Sequence, residues 1–322
     1  MPVFDQPECQ DDIMLVTPRP GVNRENLLKT LQSVHTDVYN LRGGGGAARN
    51  AYERLLAYVE WTSTAVRMLG NQVSNGDLDR LVLTERYRLL LAGLVGTATS
   101  TELPVQRVVN GLVSLELDER VADFDAAIKA LQGQIARWSA YGHYVVPDTS
   151  FYIHHKDKLE AVDFGPLTNV WQSEVAVLVP IVIVDELDRL KESKDKVVRW
   201  RAGYTLAVLD RVFADGAGRT RLRPGDVVPG PDGLTRSEVT IELVFDPPGH
   251  VRLPGNDDEI IDRALAIEAL ADRKVTLLTY DTGQSTRARN AGLQVVKLSQ
   301  DIGEEPSKSA RARGSAVAAS WP

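Results

Sequence analysis

The chain has 322 residues, 43% of them hydrophobic and 25% charged, with a formal net charge of −7. That length buries more than one core, so two domains are expected, and the acidic balance excludes a protein coated in nucleic acid while leaving room for a local basic path. The lone cysteine, Cys9, excludes an intrachain disulfide and a cysteine-based zinc site, and no apolar run reaches the length of a membrane span.

The opening MPVFDQPECQDD is acidic and has no apolar h-region, so a cytoplasmic location is expected. Residues 1–22 carry Pro, Asp and Gly without periodicity and are expected to be flexible. Helical stripes follow: Leu27, Leu31, Val34, Val38, Leu41; then Tyr52, Leu55, Val59, Thr62, Val66, Leu69; then Val121, Phe124, Ile128, Leu131, Ile135, Trp138. Residues 78–96 and 104–117 also read as helices, the second opening on an early Pro. Residues 23–140 are therefore expected to form an all-α accessory domain, a bundle in kind. RGGGG (42–46) lacks the Gly-Lys-Ser/Thr of a phosphate loop and follows no strand, so it reads as a helix–helix connector.

From 143 the pattern changes. HYVVPD reads as a strand, and VAVLVP (175–180) is apolar throughout, as for a strand buried on both faces. Helices are expected over IVIVDELDRLKE and 197–214, a strand over 236–248, a helix over 256–272, a strand over KVTLLTYD, a short helix over TGQSTRARNAG and a last strand at LQVVKL. Such alternation predicts a three-layer α/β/α domain with a parallel central sheet over 143–300. The tail, 303–322, is rich in Ser, Ala, Arg and Gly and is expected to be disordered.

Ligands of open α/β sheets bind at the carboxyl ends of the strands. Asp148 and Asp281 end strands, Glu186 follows VAVLVP, and Asp258 opens a helix. Each has a local explanation. Asp148 caps a turn; Asp258 suits a helix N-terminus, with Asn256 and Glu259 spaced as a capping box; Asp281 and Gln284 repeat that spacing. Asp185 and Arg189 are spaced as an i,i+4 ion pair. The conjunction at one rim outweighs these explanations. Converging carboxylates need a cation, and an oxygen-only set suits Mg²⁺ or Mn²⁺.

VVPDTSFYI, VLVPIVIVDELDRLK, NDDEIIDRAL and VTLLTYDTGQSTRARNAGLQVV resemble, in order, the PIN domain ribonuclease family. The similarity is to its larger type, found in mRNA-decay nucleases and in fusions to PhoH-type ATPases. The resemblance carries the family's acidic quartet onto Asp148, Glu186, Asp258 and Asp281, with Asp257 the neighbour that competes with Asp258. Thr149 or Ser150 matches the hydroxyl after the first acid, and Thr279 the one before the last. Gly283 and Gln284 stand where some members have a further acid, which implies a weaker hold on a second metal. The helical domain matches no family.

The resemblance implies a Mg²⁺- or Mn²⁺-dependent endoribonuclease that leaves a 3′-hydroxyl and a 5′-phosphate. Asp148 would be the central metal ligand, Asp258 and Asp281 would hold metal directly or through water, and Glu186 would orient the attacking water or a second ion. The alternatives are a non-cleaving PIN-fold module that binds RNA or protein and, ranked lower, a structure-specific DNA nuclease. His154 and His155 read as surface or interface histidines, and Ser150 lacks the Gly-x-Ser-x-Gly context of a nucleophile. Residues 189–223 hold ten Lys/Arg against four Asp/Glu. Lys191, Arg199 and Arg201 beside Trp200, and Arg219, Arg221 and Arg223 in a following loop, are candidates for a single-stranded RNA backbone. The competing reading is a charged helix face with Trp200 in the core. Arg287 and Arg289 lie nearer the rim. The helical domain is the expected surface for a second copy or a protein partner.

Overall fold

A computed structural model describes residues 16–299, apart from positions 20, 44–49, 95, 97, 140–141, 171–172, 217, 228–234 and 248–249. The expected disordered tail, most of the expected flexible N-terminus and the glycine run beyond Gly43 lie outside the described residues. Residues 16–19 pack rather than hang loose. Val16 is buried, the Thr17 N–H donates to Asp77 at 3.0 Å, and Pro18 bridges Val73.

The N-terminal part is all-helical: α1 (Arg24–Gly43), α2 (Ala51–Leu69), α3 (Asn75–Leu81), α4 (Glu85–Leu94) and α5 (Leu103–Trp138). The predicted stripes of α1 and α5 face inward, with Leu27, Leu31, Val34 and Val38 buried against Phe124 and Leu131. Asn50 caps α2 in a reciprocal box with Glu53. Two expectations are corrected. Residues 78–96 form two helices, because Thr84 starts a new one by accepting the Tyr87 N–H at 3.1 Å. Residues 104–117 and 121–138 form one 36-residue helix, about 54 Å long at 1.5 Å per residue. Its buried Arg120 and Glu116 pair at 3.2 Å, so the polar step between the two predicted segments is satisfied inside a continuous helix.

The remaining elements are β1 (His143–Pro147), α6 (Thr149–His154), α7 (Phe164–Thr168), β2 (Val175–Pro180), α8 (Ile181–Leu190), α9 (Lys196–Val212), β3 (Thr220–Arg223), β4 (Asp226–Val227), β5 (Thr235–Arg236), β6 (Val239–Val244), α10 (Asn256–Ala271), β7 (Val275–Thr279), α11 (Thr282–Asn290) and β8 (Gln294–Lys297). The main sheet runs β3-β6-β2-β1-β7-β8, and β4 and β5 form a separate ribbon. Every pairing in the main sheet is parallel except β3 with β6. The parallel expectation is thus corrected at one edge, and the arginine-rich 219–223 is largely strand rather than loop. Two of its arginines are spent on the fold: Arg219 pairs with buried Glu242 at 2.8 Å and Arg221 with Glu238 at 3.1 Å.

From β1 the chain steps to β2 and then β6, and α10 returns it across the sheet to β7, on the other side of β1. The strand order therefore reverses between β1 and β7, the place where doubly wound sheets open a crevice. The two parts are tied together. Trp138, the last residue of α5, joins the α/β core, and Arg137 forms an ion pair with Glu242.

Candidate active site

Pro147 ends β1 in extended backbone and Asp148 caps α6, accepting the Phe151 N–H at 2.8 Å. The local capping explanation holds, but it leaves most of the carboxylate to account for. Ser150 Oγ donates to it, lying 2.7 and 2.8 Å from its two oxygens, and Thr279 Oγ1 donates at 2.5 Å. Asp148 is 2% exposed. Burial pushes its acid up to about 6; the hydroxyl and amide donors pull it down, and Asp257 pushes it up further.

The neighbouring strand end interlocks with it. Thr279 Oγ1 accepts the Asp281 N–H at 2.8 Å, and Ser150 Oγ accepts the Tyr280 N–H at 2.8 Å. Asp281 caps α11 by accepting the Gln284 N–H at 2.7 Å. Two hydroxyls thus stitch β1 to β7 and fix both acids at the switch point. Glu186, on the first turns of α8, is oriented from both sides: Thr149 donates to one oxygen and Asn256 Nδ2 to the other at 2.7 Å.

These residues line one open cleft of about 320 Å³, with Asp257, Gln284 and the cationic Arg189. Asp148, Glu186 and Asp281 are brought together there, with Thr149 and Ser150, while Thr279 supports them from behind. The adjacent pair Asp257–Asp258 is placed asymmetrically. Asp257, not Asp258, faces the cleft, and burial together with Asp281, Glu186 and Asp258 pushes its acid up against the pull of Arg287. Asp258 is turned outward, 52% exposed, and pairs with Arg287 at 3.1 Å. Successive helical residues diverge by about 100°, so only one of the pair can look into the cleft. Asn256 is likewise a cleft residue rather than a helix cap; the cap position is Gly255. The Asp–Asp repeat signalled an acid here without saying which, and nothing in the sequence marked Asn256 as the amide that orients Glu186.

The predicted cations are distributed differently. Arg287 pairs with Asp257 and Asp258, and Arg289 is exposed on α11. Lys191 pairs with Asp188 at 2.6 Å, and Arg199 donates to the Ser193 carbonyl at 2.8 Å. Arg201 donates to the carbonyls of His155 and Lys156 at 2.5 and 2.9 Å, fastening the end of α6 to α9. Asp185 pairs with Arg252 at 2.6 Å rather than with Arg189, which frees Arg189 for the cleft. His154 is exposed as expected, whereas His155 is buried, stacked on Phe151 at 4.6 Å and 3.1 Å from the Tyr280 hydroxyl. Trp200 is 52% exposed, against the core alternative.

Away from the cleft, ligand atoms of Asp246, His250 and Glu259 lie within 4.8 Å of one another. Buried Glu259 there accepts the Leu253 N–H at 2.8 Å and sits 3.4 Å from Arg263 Nε, while Asp246 accepts from Arg252 at 2.5 Å. The charges are already compensated by arginines, so this group reads as a structural network that anchors the loop before α10.

A mostly parallel, doubly wound sheet with four carboxylates lining a cleft at its switch point defines a nuclease-type α/β domain. The family profile described as PIN domain matches residues 145–299, and this part of the chain is a PIN domain. Most PIN domains are nucleases and use divalent metals. No curated protein matches the chain. No helix among the described residues is long and apolar enough to cross a membrane.

Proposed function

We propose that the protein is a metal-dependent endoribonuclease acting on single-stranded RNA, with Asp148, Glu186, Asp257 and Asp281 as its acidic quartet. The observation that carries this is the cleft itself, where four carboxylates are joined by hydroxyl and amide oxygens and by Arg189 as the cationic lining residue. Such an all-oxygen donor set fits Mg²⁺ or Mn²⁺. Burial chiefly raises the Asp148 acid, a cost that a bound cation would offset.

Asp148, Asp257 and Asp281 would hold the metal, with Glu186 beside them. A bound divalent ion supplies polarisation of the phosphate and a bound water of lowered pKa. The remaining work belongs to the chain. Ser150 and Thr279 hold Asp148 in one rotamer, so little reorganisation is needed when substrate arrives. Thr149 and Asn256 fix the Glu186 carboxylate so that it can accept a proton from, or orient, an attacking water. Arg287 restrains Asp257 and Asp258 at the rim, and Arg189 offers a phosphate contact at the edge of the cleft.

The test is side-by-side incubation of labelled single-stranded RNA and DNA with Mg²⁺, Mn²⁺ or EDTA. RNA cleavage that needs the divalent ion and falls at least about 100-fold in Asp148→Asn is expected, the scale on which one preorganised group acts. Cleavage retained by Asp148→Asn, or confined to DNA, overturns the proposal.

A further inference from the structure

Trp200 lies near the N-terminus of α9, 52% exposed, with Val197 one turn earlier at 66%. An exposed indole on a helix forgoes apolar burial that most tryptophans obtain. This one is nevertheless held rigidly. Its ring stacks on Tyr204, one turn further on, with centroids 5.4 Å apart and an interplanar angle of 24°. The Tyr204 hydroxyl donates to Glu160 at 2.5 Å, and Glu160 also pairs with Arg211. Lys158 Nζ stands 4.7 Å from the Tyr204 ring centre and 5.5 Å from that of Trp200. The loop that carries Lys158 is fastened to α9 by Arg201, through the carbonyls of residues 155 to 157.

The surroundings are basic. Lys156, Lys158, Lys194 and Lys196 are exposed, and none of them makes an ion pair among the described residues. Of the neighbouring acids, Asp195 caps α9, Asp188 holds Lys191, Glu160 pairs with Arg211 and Asp157 lies 3.7 Å from His155, while Glu192 is exposed. The patch is also connected to the cleft. The helix α6 starts beside Asp148 and runs about 9 Å, at 1.5 Å per residue over six residues, toward the loop of Lys158. The chain of α8 likewise passes from Glu186 through Arg189 at the cleft to the lysines before α9.

We propose that Trp200 and Tyr204, with Lys158 and the flanking lysines, form a stacking platform that holds the bases of single-stranded RNA a few nucleotides from the cleavage cleft. This rests on the RNA-cleaving reading for its substrate. Bases stack on an exposed aromatic irrespective of sequence, and unpaired lysines follow the phosphates. A protein partner would be served equally well by the apolar Val197–Trp200 stripe. The four exposed lysines without ion pairs favour a polyanion with flat bases over it.

The experiment uses the full chain carrying Asp148→Asn, so that binding is read without cleavage, and fluorescently labelled 12-nucleotide single-stranded RNA in Mg²⁺. Adding Trp200→Ala is expected to weaken binding about tenfold, within the range for losing one base stack. Trp200→Phe should retain most of the affinity, Lys158→Gln should lower both affinity and the salt dependence, and an RNA duplex of the same sequence should bind the Trp200 variants and their parent alike. Unchanged single-strand affinity in Trp200→Ala, with an unaltered thermal midpoint, overturns the platform. So does a change in oligomeric state in sedimentation with RNA binding unaffected, which would assign the patch to a second copy. If the parent chain cleaves no RNA but Trp200→Ala still weakens single-strand binding, the nuclease reading fails and the platform stands.

Discussion

Asp148→Asn should stabilise the metal-free protein while abolishing its chemistry. The Asp148 acid is pushed from its usual 3.8 to about 6, chiefly by burial. At 1.36 kcal/mol per pH unit, keeping that carboxylate ionised at neutral pH costs the native state ~3 kcal/mol. Asparagine carries no charge, so the variant recovers this. It loses part of it again because its Nδ2 cannot accept one of the hydroxyl donors now given to Asp148, worth ~1 kcal/mol. A net gain of ~1–2 kcal/mol should raise the thermal midpoint by roughly 2–8 °C. The sign depends on pH. The native acid is raised above its unfolded value, so its contribution to stability is fully present below about 3.8 and is lost as pH rises through about 6. The gap between variant and parent in EDTA should therefore be small near pH 4 and complete above about pH 7. Thermal unfolding in EDTA across that range measures it. Saturating Mg²⁺ should then stabilise the parent, by ~3 kcal/mol at a hundredfold excess over Kd, and leave the variant unmoved. A variant less stable than its parent at pH 7 in EDTA, or a gap independent of pH, refutes the reasoning.

Three further outcomes are expected. Asp257→Asn should lower metal-dependent cleavage at least about 100-fold, whereas Asp258→Asn should stay within a few-fold; steady-state rates that reverse this order would return the fourth acid to Asp258. Thr279→Val removes both the donor to Asp148 and the acceptor of the Asp281 N–H, so urea unfolding should show a loss of ~1–3 kcal/mol. Because the Thr279 hydroxyl pulls the Asp148 acid down, the acid limb of that variant's pH–rate profile should move to higher pH; an unmoved limb would separate Thr279 from the carboxylate. Glu242→Ala removes the buried carboxylate that Arg137 and Arg219 share and should cost ~3 kcal/mol in urea unfolding, with no change in the cleft acids.

Much of the site was legible because its signals are local. A strand that ends on Pro147-Asp148 with two hydroxyls following, and another that ends Thr279-Tyr280-Asp281, declare themselves in a few residues. The same residues that cap α6 and α11 present the acids, so local capping and the cleft agree rather than compete. The arginines were least legible. A sequence shows spacing, and spacing offered Asp185 to Arg189, whereas Arg252, 67 residues away, takes it.

The sequence by itself determined the order of elements, the all-apolar β2 buried on both faces, and the delivery of an acid to each of two strand ends. These follow from periodicity, proline and capping, which act over a few residues. Only the tertiary structure decided which acid of Asp257 and Asp258 faces the cleft, that α5 runs unbroken into the α/β core, that the arginines of 219–223 serve an edge strand, and that Trp200 stands in solvent. Each of these depends on which surfaces meet. A rotation of one residue on α10 exchanges cleft for solvent, and a buried carboxylate such as Glu242 captures whichever cation the fold brings within reach.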